Sequence, residues 1–196
     1  MNFTKLKRAY IIAEIGVNHE GKLSLAKKMI DLASKSGVDG VKFQTYKHSQ
    51  YVSSSQPERL DRVKKFQLSH KDFLQIKKYT QQKKIDFFST PLHCDDVDFL
   101  KKKSKIIKIS SGDLTHHELL EKAAKSKLSI ILSTGMANEK EIKEAIDVIK
   151  KFNPRIIKNG KLALLHCVAL YPTKKHDLNL KNIISLKEKF NLPVGF

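Results

Sequence analysis

The sequence predicts an α/β fold, because short apolar runs of strand length alternate with longer segments of helical periodicity. Six runs have the length and composition of strands: YIIAEI (10–15), DGVKFQ (39–44), IDFFS (85–89), KIIKIS (105–110), SIILS (129–133) and LALLHC (162–167). This alternation is typical of a parallel sheet with helical crossovers. A chain of 196 residues with 40% hydrophobic content can bury a sizeable core, so one domain over 1–196 is expected.

Two of the crossover helices are marked by the spacing of their apolar residues. The first apolar stripe consists of Leu25, Met29, Leu32 and Ala33. The second consists of Ile142, Ala145, Ile146, Ile149 and Phe152. Asn138, with Glu141 three residues later, precedes the second stripe and forms a capping-box pattern. Both segments are therefore expected to be amphipathic helices that pack on the sheet.

Residues 45–68 interrupt this alternation with the polar segment YKHSQYVSSSQPE (46–58). A segment of this length exceeds an ordinary turn between a strand and a helix, so we predict a functional loop here. No linker rich in proline, glycine and serine divides the chain into two domains.

The formal net charge of +18 raises the question of a nucleic-acid partner. The lysines are spread over most of the predicted helices and do not cluster, so we expect a solvated lysine-rich surface and no nucleic-acid site. Such a surface would attract anionic small molecules.

Neither membrane insertion nor disulfide formation is expected. The first residues lack a continuous apolar stretch of signal-peptide length, and no later run approaches the roughly 20 apolar residues that span a bilayer. Cys94 and Cys167 lie far apart, and neither belongs to a CxxC pair, so reduced thiols are expected. These features predict a soluble cytoplasmic protein.

Every predicted strand ends in polar or charged side chains. These are Glu14, Lys42 with Gln44, Ser89 with Thr90, Lys108 with Ser111 and Asp113, Ser133 with Thr134, and His166. In a TIM-type (β/α)8 barrel the carboxyl ends of all strands converge on the face where substrates bind. We therefore predict that these side chains share one pocket of an incomplete TIM-type barrel. It would comprise about six βα units and the start of strand seven, in LPVGF.

Each of these residues also has a structural interpretation. Lysines in apolar strands can pair with Glu14 or Asp113 as buried ion pairs, and the hydroxyls of SSGD, STP and STG can cap the helices that follow. His166 can be a satisfied core histidine. Helix N-termini, glycine-containing turns, hydroxyls and ammonium groups nevertheless combine well around an anion. The residues themselves therefore favour a barrel enzyme that holds a phosphate or a carboxylate.

Six segments, taken in order and spacing, resemble the sialic acid synthase family, also called N-acetylneuraminate or nonulosonate synthases. They are IIAEIGVNHEG, VKFQTYK, FFSTP, KISSGD, ILSTGMA and LLHCVALYPT. The resemblance implies a metal-dependent condensation of phosphoenolpyruvate with an N-acylmannosamine-type sugar, which gives a nonulosonic acid and phosphate for cell-surface polysaccharides. It leaves two alternatives open: a related sugar-acid synthase, such as 3-deoxy-octulosonate 8-phosphate synthase, or an inactive truncated remnant.

The resemblance also implies roles for individual residues. Glu14 and Asp113 would be catalytic, and the substrate-binding residues would be Lys42, Gln44, Thr90, Lys108, Ser111, Ser133 and Tyr171. The two lysines would be the cations for the phosphate and carboxylate of phosphoenolpyruvate. Asp113 stands where well-studied members carry glutamate, and Ala169 where asparagine or serine is common. Both departures bear on contacts with the ligands and leave the fold unaffected.

A divalent metal, typically Mn²⁺, belongs to the activity that the resemblance implies. Its two histidine ligands would lie beyond Phe196, so no metal ligand is expected in this chain. The small C-terminal antifreeze-like domain would also lie outside residues 1–196. In the family this domain reaches the partner subunit's sugar site, so a homodimer is expected of the full-length protein.

Overall fold

The computed structural model describes residues 1–196 and contains seven strands and eight α-helices. The strands are β1 (Ile12–Gly16), β2 (Gly40–Thr45), β3 (Asp86–Pro91), β4 (Ile106–Ile109), β5 (Ser129–Ser133), β6 (Leu162–Leu165) and β7 (Val194–Gly195). The helices are α1 (Leu23–Lys35), α2 (His48–Tyr51), α3 (Pro57–Phe66), α4 (His70–Gln82), α5 (Cys94–Lys101), α6 (His117–Lys125), α7 (Glu139–Phe152) and α8 (Asn182–Phe190). All six predicted strands are confirmed, and β7 lies where LPVGF predicts a seventh.

The chain forms two compact units. One unit is Lys7–Lys105, with β1 to β3 and α1 to α5; the other comprises Met1–Leu6 and Ile106–Phe196, with β4 to β7 and α6 to α8. Within each unit the strands are parallel and neighbour one another in chain order. The predicted pattern of parallel strands with helical crossovers is therefore confirmed in both units. None of the eight helices has the length and apolar composition of a membrane span.

Helix α1 buries a different stripe from the one that its leucines predict. Its buried residues are Ala26, Ile30 and Ala33, whereas Leu32 is 57% exposed. Apolar residues occupy more than one face of this helix, so their spacing alone does not fix which face meets the sheet. The two alanines allow the helix backbone to lie close to its neighbours. The predicted helix is confirmed, but of its predicted stripe only Ala33 is buried.

Residues 45–68 contain two helices, so the prediction of a single loop is wrong. Helix α3 begins with Pro57 at a position that suits a proline ring, and none of its residues is buried. The phenolic hydroxyl of Tyr46 donates to the carbonyl of Val63 at 3.0 Å, which ties α3 to the end of β2. The polar composition of the segment therefore reflects an exposed helix.

In the second unit α7 is built as its sequence predicts. The residues of its stripe that are buried are Ile142, Ala145, Ile146 and Ile149. Both capping-box hydrogen bonds form: the Glu141 amide donates to Asn138 Oδ1 at 3.0 Å, and the Asn138 amide donates to the Glu141 carboxylate at 2.8 Å. The N-terminal residues join the same unit, because the amino group of Met1 donates to the hydroxyl of Ser129 at 2.9 Å. Both cysteines are free thiols, as predicted.

Asp96, in the first turn of α5, is a buried carboxylate with incomplete hydrogen bonding. It is 4% exposed, and its Oδ2 atom has no hydrogen-bond partner. The Nε2 atom of His70 lies 3.9 Å from Oδ1, which is too far for a hydrogen bond, and the His70 ring stacks on Phe99. Burial raises the pKa of Asp96 to about 6 from its ordinary value of 3.8.

This shift predicts how stability depends on pH. The folded protein holds the Asp96 proton more tightly than the unfolded chain, so the contribution of Asp96 to stability is lost as pH rises from about 4 to about 6. Asp96→Asn has no ionisable group at this position, so its stability does not fall in this way as pH rises. The free energy of unfolding of Asp96→Asn minus that of wild type should therefore increase by up to about 3 kcal/mol between pH 4 and pH 7.

Denaturant unfolding at unit pH intervals measures the effect. Asp61→Asn, at an exposed position on α3, serves as the control and should change stability by less than about 0.5 kcal/mol at every pH. Parallel stability curves for wild type and Asp96→Asn would contradict the prediction.

Candidate anion-binding site

Three predicted site residues meet in the unit Lys7–Lys105. The ammonium group of Lys42 lies 2.8 Å from the Oε2 atom of Glu14 and donates to the hydroxyl of Thr90 at 3.3 Å. Lys42 is 5% exposed, whereas the side chain of Glu14 is 59% exposed. Glu14 and Lys42 are register partners on β1 and β2, so the pairing of the strands sets them side by side. We call these three residues the Lys42 cluster.

A second group of predicted residues meets in the other unit. The ammonium group of Lys108 donates to the hydroxyl oxygen of Ser133 at 2.5 Å, and the thiol of Cys167 donates to the same oxygen at 3.2 Å. The amide of Gly135 donates to the hydroxyl oxygen of Ser111 at 3.0 Å. Lys108 and Ser133 are both buried. We call these five residues the Lys108 cluster.

The two lysines occupy equivalent places in their sheets. Thr90 lies two residues beyond the register partner of Lys42 on β3, and Ser133 lies two residues beyond the register partner of Lys108 on β5. Residues two apart on a strand share a face of the sheet, so in each case the hydroxyl lies on the same face as the lysine. The same register geometry therefore builds an ammonium–hydroxyl pair once in each unit.

The remaining predicted site residues belong to neither cluster. Gln44 is half-buried at the end of β2, where Thr90 is its register partner. Asp113 is half-buried in the 3₁₀ turn 111–113, and its carboxylate accepts a hydrogen bond from the Ser110 hydroxyl. It is not a cap of α6, whose N-cap residue is His116. Tyr171 is 95% exposed.

Other polar residues at the strand ends have structural partners. The hydroxyl of Ser89 lies 2.8 Å from a neighbouring threonine hydroxyl, and the Thr134 hydroxyl donates to a backbone carbonyl at 2.9 Å. The Nε2 atom of His166 lies 2.8 Å from the carbonyl oxygen of Leu178. A carbonyl only accepts, so Nε2 carries the proton and His166 is a satisfied buried histidine.

Cys167 is the member of the Lys108 cluster whose contact the sequence did not predict. Its thiol was expected only to be reduced. The available signal is positional, because Cys167 lies two residues beyond the register partner of Ser133 on β6. The same offset relates each lysine to its hydroxyl, but it becomes visible only when the register of the strands is known.

An open cavity of about 420 Å³ lies beside the carboxyl ends of β5 and β6. Its lining includes Thr134, Glu139, His166 and Cys167, but neither Lys108 nor Ser111. Glu139 already pairs with Lys189 across this unit. A cavity that contains a carboxylate and no lysine does not suit an anion, so we do not assign it as the predicted phosphate site.

The chemistry of both clusters suits an anion. An ammonium group and a hydroxyl are hydrogen-bond donors that can meet a phosphate or carboxylate oxygen, and in each cluster the ammonium group is buried. The same ammonium groups repel a divalent cation, and Glu14 is the only carboxylate in either cluster. The residues of the two clusters therefore do not fit a metal ion.

Comparison with known proteins identifies the chain's relatives. Residues 29–196 match the NeuB family. The chain is 40% identical over 205 residues to the N,N'-diacetyllegionaminic acid synthase of Campylobacter jejuni, with 97% of this chain and 60% of the relative covered. It is 37% identical over 201 residues to the synthase of the same name from Legionella pneumophila, with 95% and 56% covered.

A solved structure extends the likeness to the fold. The N-acetylneuraminic acid (sialic acid) synthetase of Leptospira borgpetersenii, in complex with citrate, aligns with a TM-score of 0.89 and 39% identity over 97% of this chain and 65% of that chain. The predicted α/β barrel-type fold is thereby confirmed. The chain spans little more than half the length of the two curated relatives. Because the match extends over residues 29–196, the chain belongs to the NeuB family.

Proposed function

We propose that the full-length protein condenses phosphoenolpyruvate with an N-acylated amino sugar to give a nonulosonic acid and inorganic phosphate. The observation that carries this proposal is the repeated pair of a buried lysine with a hydroxyl, Lys42 with Thr90 and Lys108 with Ser133. Membership of the NeuB family and the names of the synthase relatives support the reaction class.

The reaction places specific demands on the protein. Carbon 3 of phosphoenolpyruvate forms a bond to the aldehyde carbon of the open-chain sugar as the carbon 2–carbon 3 and aldehyde π bonds are lost, the oxygen of water adds to carbon 2, and the bond from carbon 2 to the phosphate oxygen breaks. One proton of the water ends on the former aldehyde oxygen and the other on the departing phosphate. The products are a 2-keto acid and inorganic phosphate. Phosphoenolpyruvate carries both a phosphate and a carboxylate, so the site must hold two anionic groups while negative charge develops on the aldehyde oxygen and then on the departing phosphate.

The clusters supply groups that meet these demands. We assign Lys42 and Lys108 each to one anionic group of phosphoenolpyruvate, with Thr90, Ser111 and Ser133 as hydroxyl donors. Burial of the ammonium groups strengthens their attraction for an anion, because little water competes.

Glu14 is assigned to proton transfer on the reacting groups. Its Oε2 atom forms an ion pair with the Lys42 ammonium group at 2.8 Å, while more than half of its side chain remains open to solvent. A carboxylate so placed can bind Lys42 and a water molecule or substrate hydroxyl at once. Gln44 and Tyr171 are assigned to the sugar.

The acceptor sugar that we propose is a diacetamido-trideoxyhexose. Two of the relatives are named for N,N'-diacetyllegionaminic acid, a product that such a sugar would give. We further propose that the full-length protein uses a divalent metal, Mn²⁺, and forms a homodimer; neither the Lys42 nor the Lys108 cluster supplies ligands for that metal.

An assay of phosphate release from phosphoenolpyruvate tests the proposed reaction. The full-length gene product would be supplied with Mn²⁺ and with one sugar at a time: 2,4-diacetamido-2,4,6-trideoxymannose, N-acetylmannosamine, its 6-phosphate, or arabinose 5-phosphate. Release with the diacetamido sugar supports the proposal. Release with arabinose 5-phosphate alone, or with none of them, would overturn it.

The two lysines can be tested as ligand-binding groups separately from any structural role. Lys42→Met and Lys108→Met keep the length of the buried side chain and remove the ammonium group. Because burying a charge is costly, each variant should be as stable as wild type or more so, while phosphoenolpyruvate affinity falls at least about tenfold. Isothermal titration and denaturant unfolding measure the two effects. Loss of stability with unchanged affinity would show that the lysines are structural.

Asp113 is expected to take part in proton transfer. Asp113→Asn keeps the shape of the side chain and an oxygen that accepts from Ser110, but removes the ionisable carboxylate. Turnover should fall roughly 100-fold or more with little change in melting temperature. Ser110→Ala is the matched control, because it removes the hydrogen bond that Asp113→Asn keeps and leaves the carboxylate in place. Equal losses of turnover in both variants would assign Asp113 a structural role.

A further inference from the structure

The hydroxyl oxygen of Ser133 receives two hydrogen bonds. The ammonium group of Lys108 donates to it at 2.5 Å, and the thiol of Cys167 donates to it at 3.2 Å. A serine oxygen has two lone pairs and one proton. With both lone pairs occupied, the proton of Ser133 can only serve as a donor toward a further acceptor.

Lys108 and Ser133 lie on the neighbouring strands β4 and β5, and Cys167 lies two residues beyond the end of β6. Ser133 is two residues beyond the register partner of Lys108, and Cys167 is two residues beyond the register partner of Ser133. Lys108 and Ser133 therefore share one face of the sheet. Cys167 contacts Ser133 from the segment that directly continues β6, where the amide of the preceding residue, His166, still donates to the carbonyl of Gly195 on β7 at 2.9 Å.

Gly135 keeps Cys167 in this place. A Cβ atom on Gly135 would lie 3.2 Å from both the Cβ atom and the carbonyl oxygen of Cys167, and 2.9 Å from the Ser111 hydroxyl. The turn after β5 can approach Cys167 this closely because residue 135 has no side chain. The amide of Gly135 in turn occupies a lone pair of Ser111. Both serines thus have their oxygen held by protein donors.

We propose that Cys167 is a positioning residue, whose thiol hydrogen bond directs the Ser133 hydroxyl to donate to an anionic group of phosphoenolpyruvate. This proposal rests on the proposed function. Without the thiol, one lone pair of Ser133 has no donor and the hydroxyl can rotate. The hydroxyl then points its proton at the ligand in a smaller fraction of its orientations. Serine at position 167 would retain a donor, whereas alanine would not.

The experiment measures phosphoenolpyruvate binding by isothermal titration and steady-state kinetics on the full-length protein. Cys167→Ala should raise the Kd and KM for phosphoenolpyruvate about three- to tenfold, the range for loss of a neutral hydrogen bond, with a smaller change in kcat. Cys167→Ser should restore both constants to within about twofold of wild type. Should Cys167→Ala fail to fold, Cys167→Val, which also lacks a donor, takes its place.

Two controls separate positioning from packing. Ser126→Ala removes another buried hydroxyl hydrogen bond of the same unit, to the carbonyl of Ala123 at 2.6 Å, and should leave the Kd unchanged. In a Ser133→Ala background, Cys167→Ala should have no further effect on the Kd, because the hydroxyl that it directs is gone.

The outcomes distinguish this proposal from the proposed function. Wild-type binding of phosphoenolpyruvate with unchanged affinity in Cys167→Ala overturns the role of Cys167 and leaves the proposed function intact. An equal loss in the presence and absence of Ser133 also overturns it, because Cys167 would then act through packing. If the wild-type protein does not bind phosphoenolpyruvate, both proposals fail.

Discussion

Burial of an ammonium group at the end of a parallel strand is the constraint on which each unit of this chain depends. A charge taken out of water is costly unless hydrogen-bond partners receive it. Parallel pairing supplies these partners by geometry, because the side chain two residues beyond the register partner lies on the same face and within reach of a long lysine. Lys42 finds Thr90 in this way, and Lys108 finds Ser133. The register that pairs the strands within each unit is therefore also the register that completes each polar cluster.

Asp96 shows the result when this constraint is not met. It is as deeply buried as the two lysines, but one of its carboxylate oxygens has no partner. The protein accommodates it through a raised pKa, so the group is neutral over a wider pH range than an exposed aspartate. The lysines instead have hydroxyl acceptors, and Lys42 has Glu14 as well. A buried polar group with partners can serve a ligand, whereas one without them mainly costs stability.

Much of this arrangement could be predicted from the sequence, and the exceptions have physical reasons. The strands of apolar residues and the Asn138 capping box depend on local chemistry, so residue patterns alone are sufficient to predict them. The buried stripe of α1 was mispredicted because Leu32 and its apolar neighbours cover more than one face of that helix. The helices within 45–68 were missed because both are short and none of their residues is buried in the core. The contact of Cys167 with Ser133 depends on strand register, which no single segment of sequence contains.

The proposed function assigns residues on strands to phosphoenolpyruvate and one exposed loop residue, Tyr171, to the sugar. The two ammonium–hydroxyl pairs assigned to phosphoenolpyruvate lie on strands, where burial and their mutual hydrogen bonds hold the side chains in place. Tyr171, assigned to the sugar, lies in the segment after β6 and is almost fully exposed, and Ala169 lies in the same segment. Loop residues can change without disturbing the sheet, whereas a change at Lys42 or Lys108 would remove the buried ammonium group that is assigned to the anion. Under the proposed function, a protein built in this way can keep one anionic substrate and vary the other, because Tyr171, unlike the two lysines, is a sugar-side residue that the core does not hold.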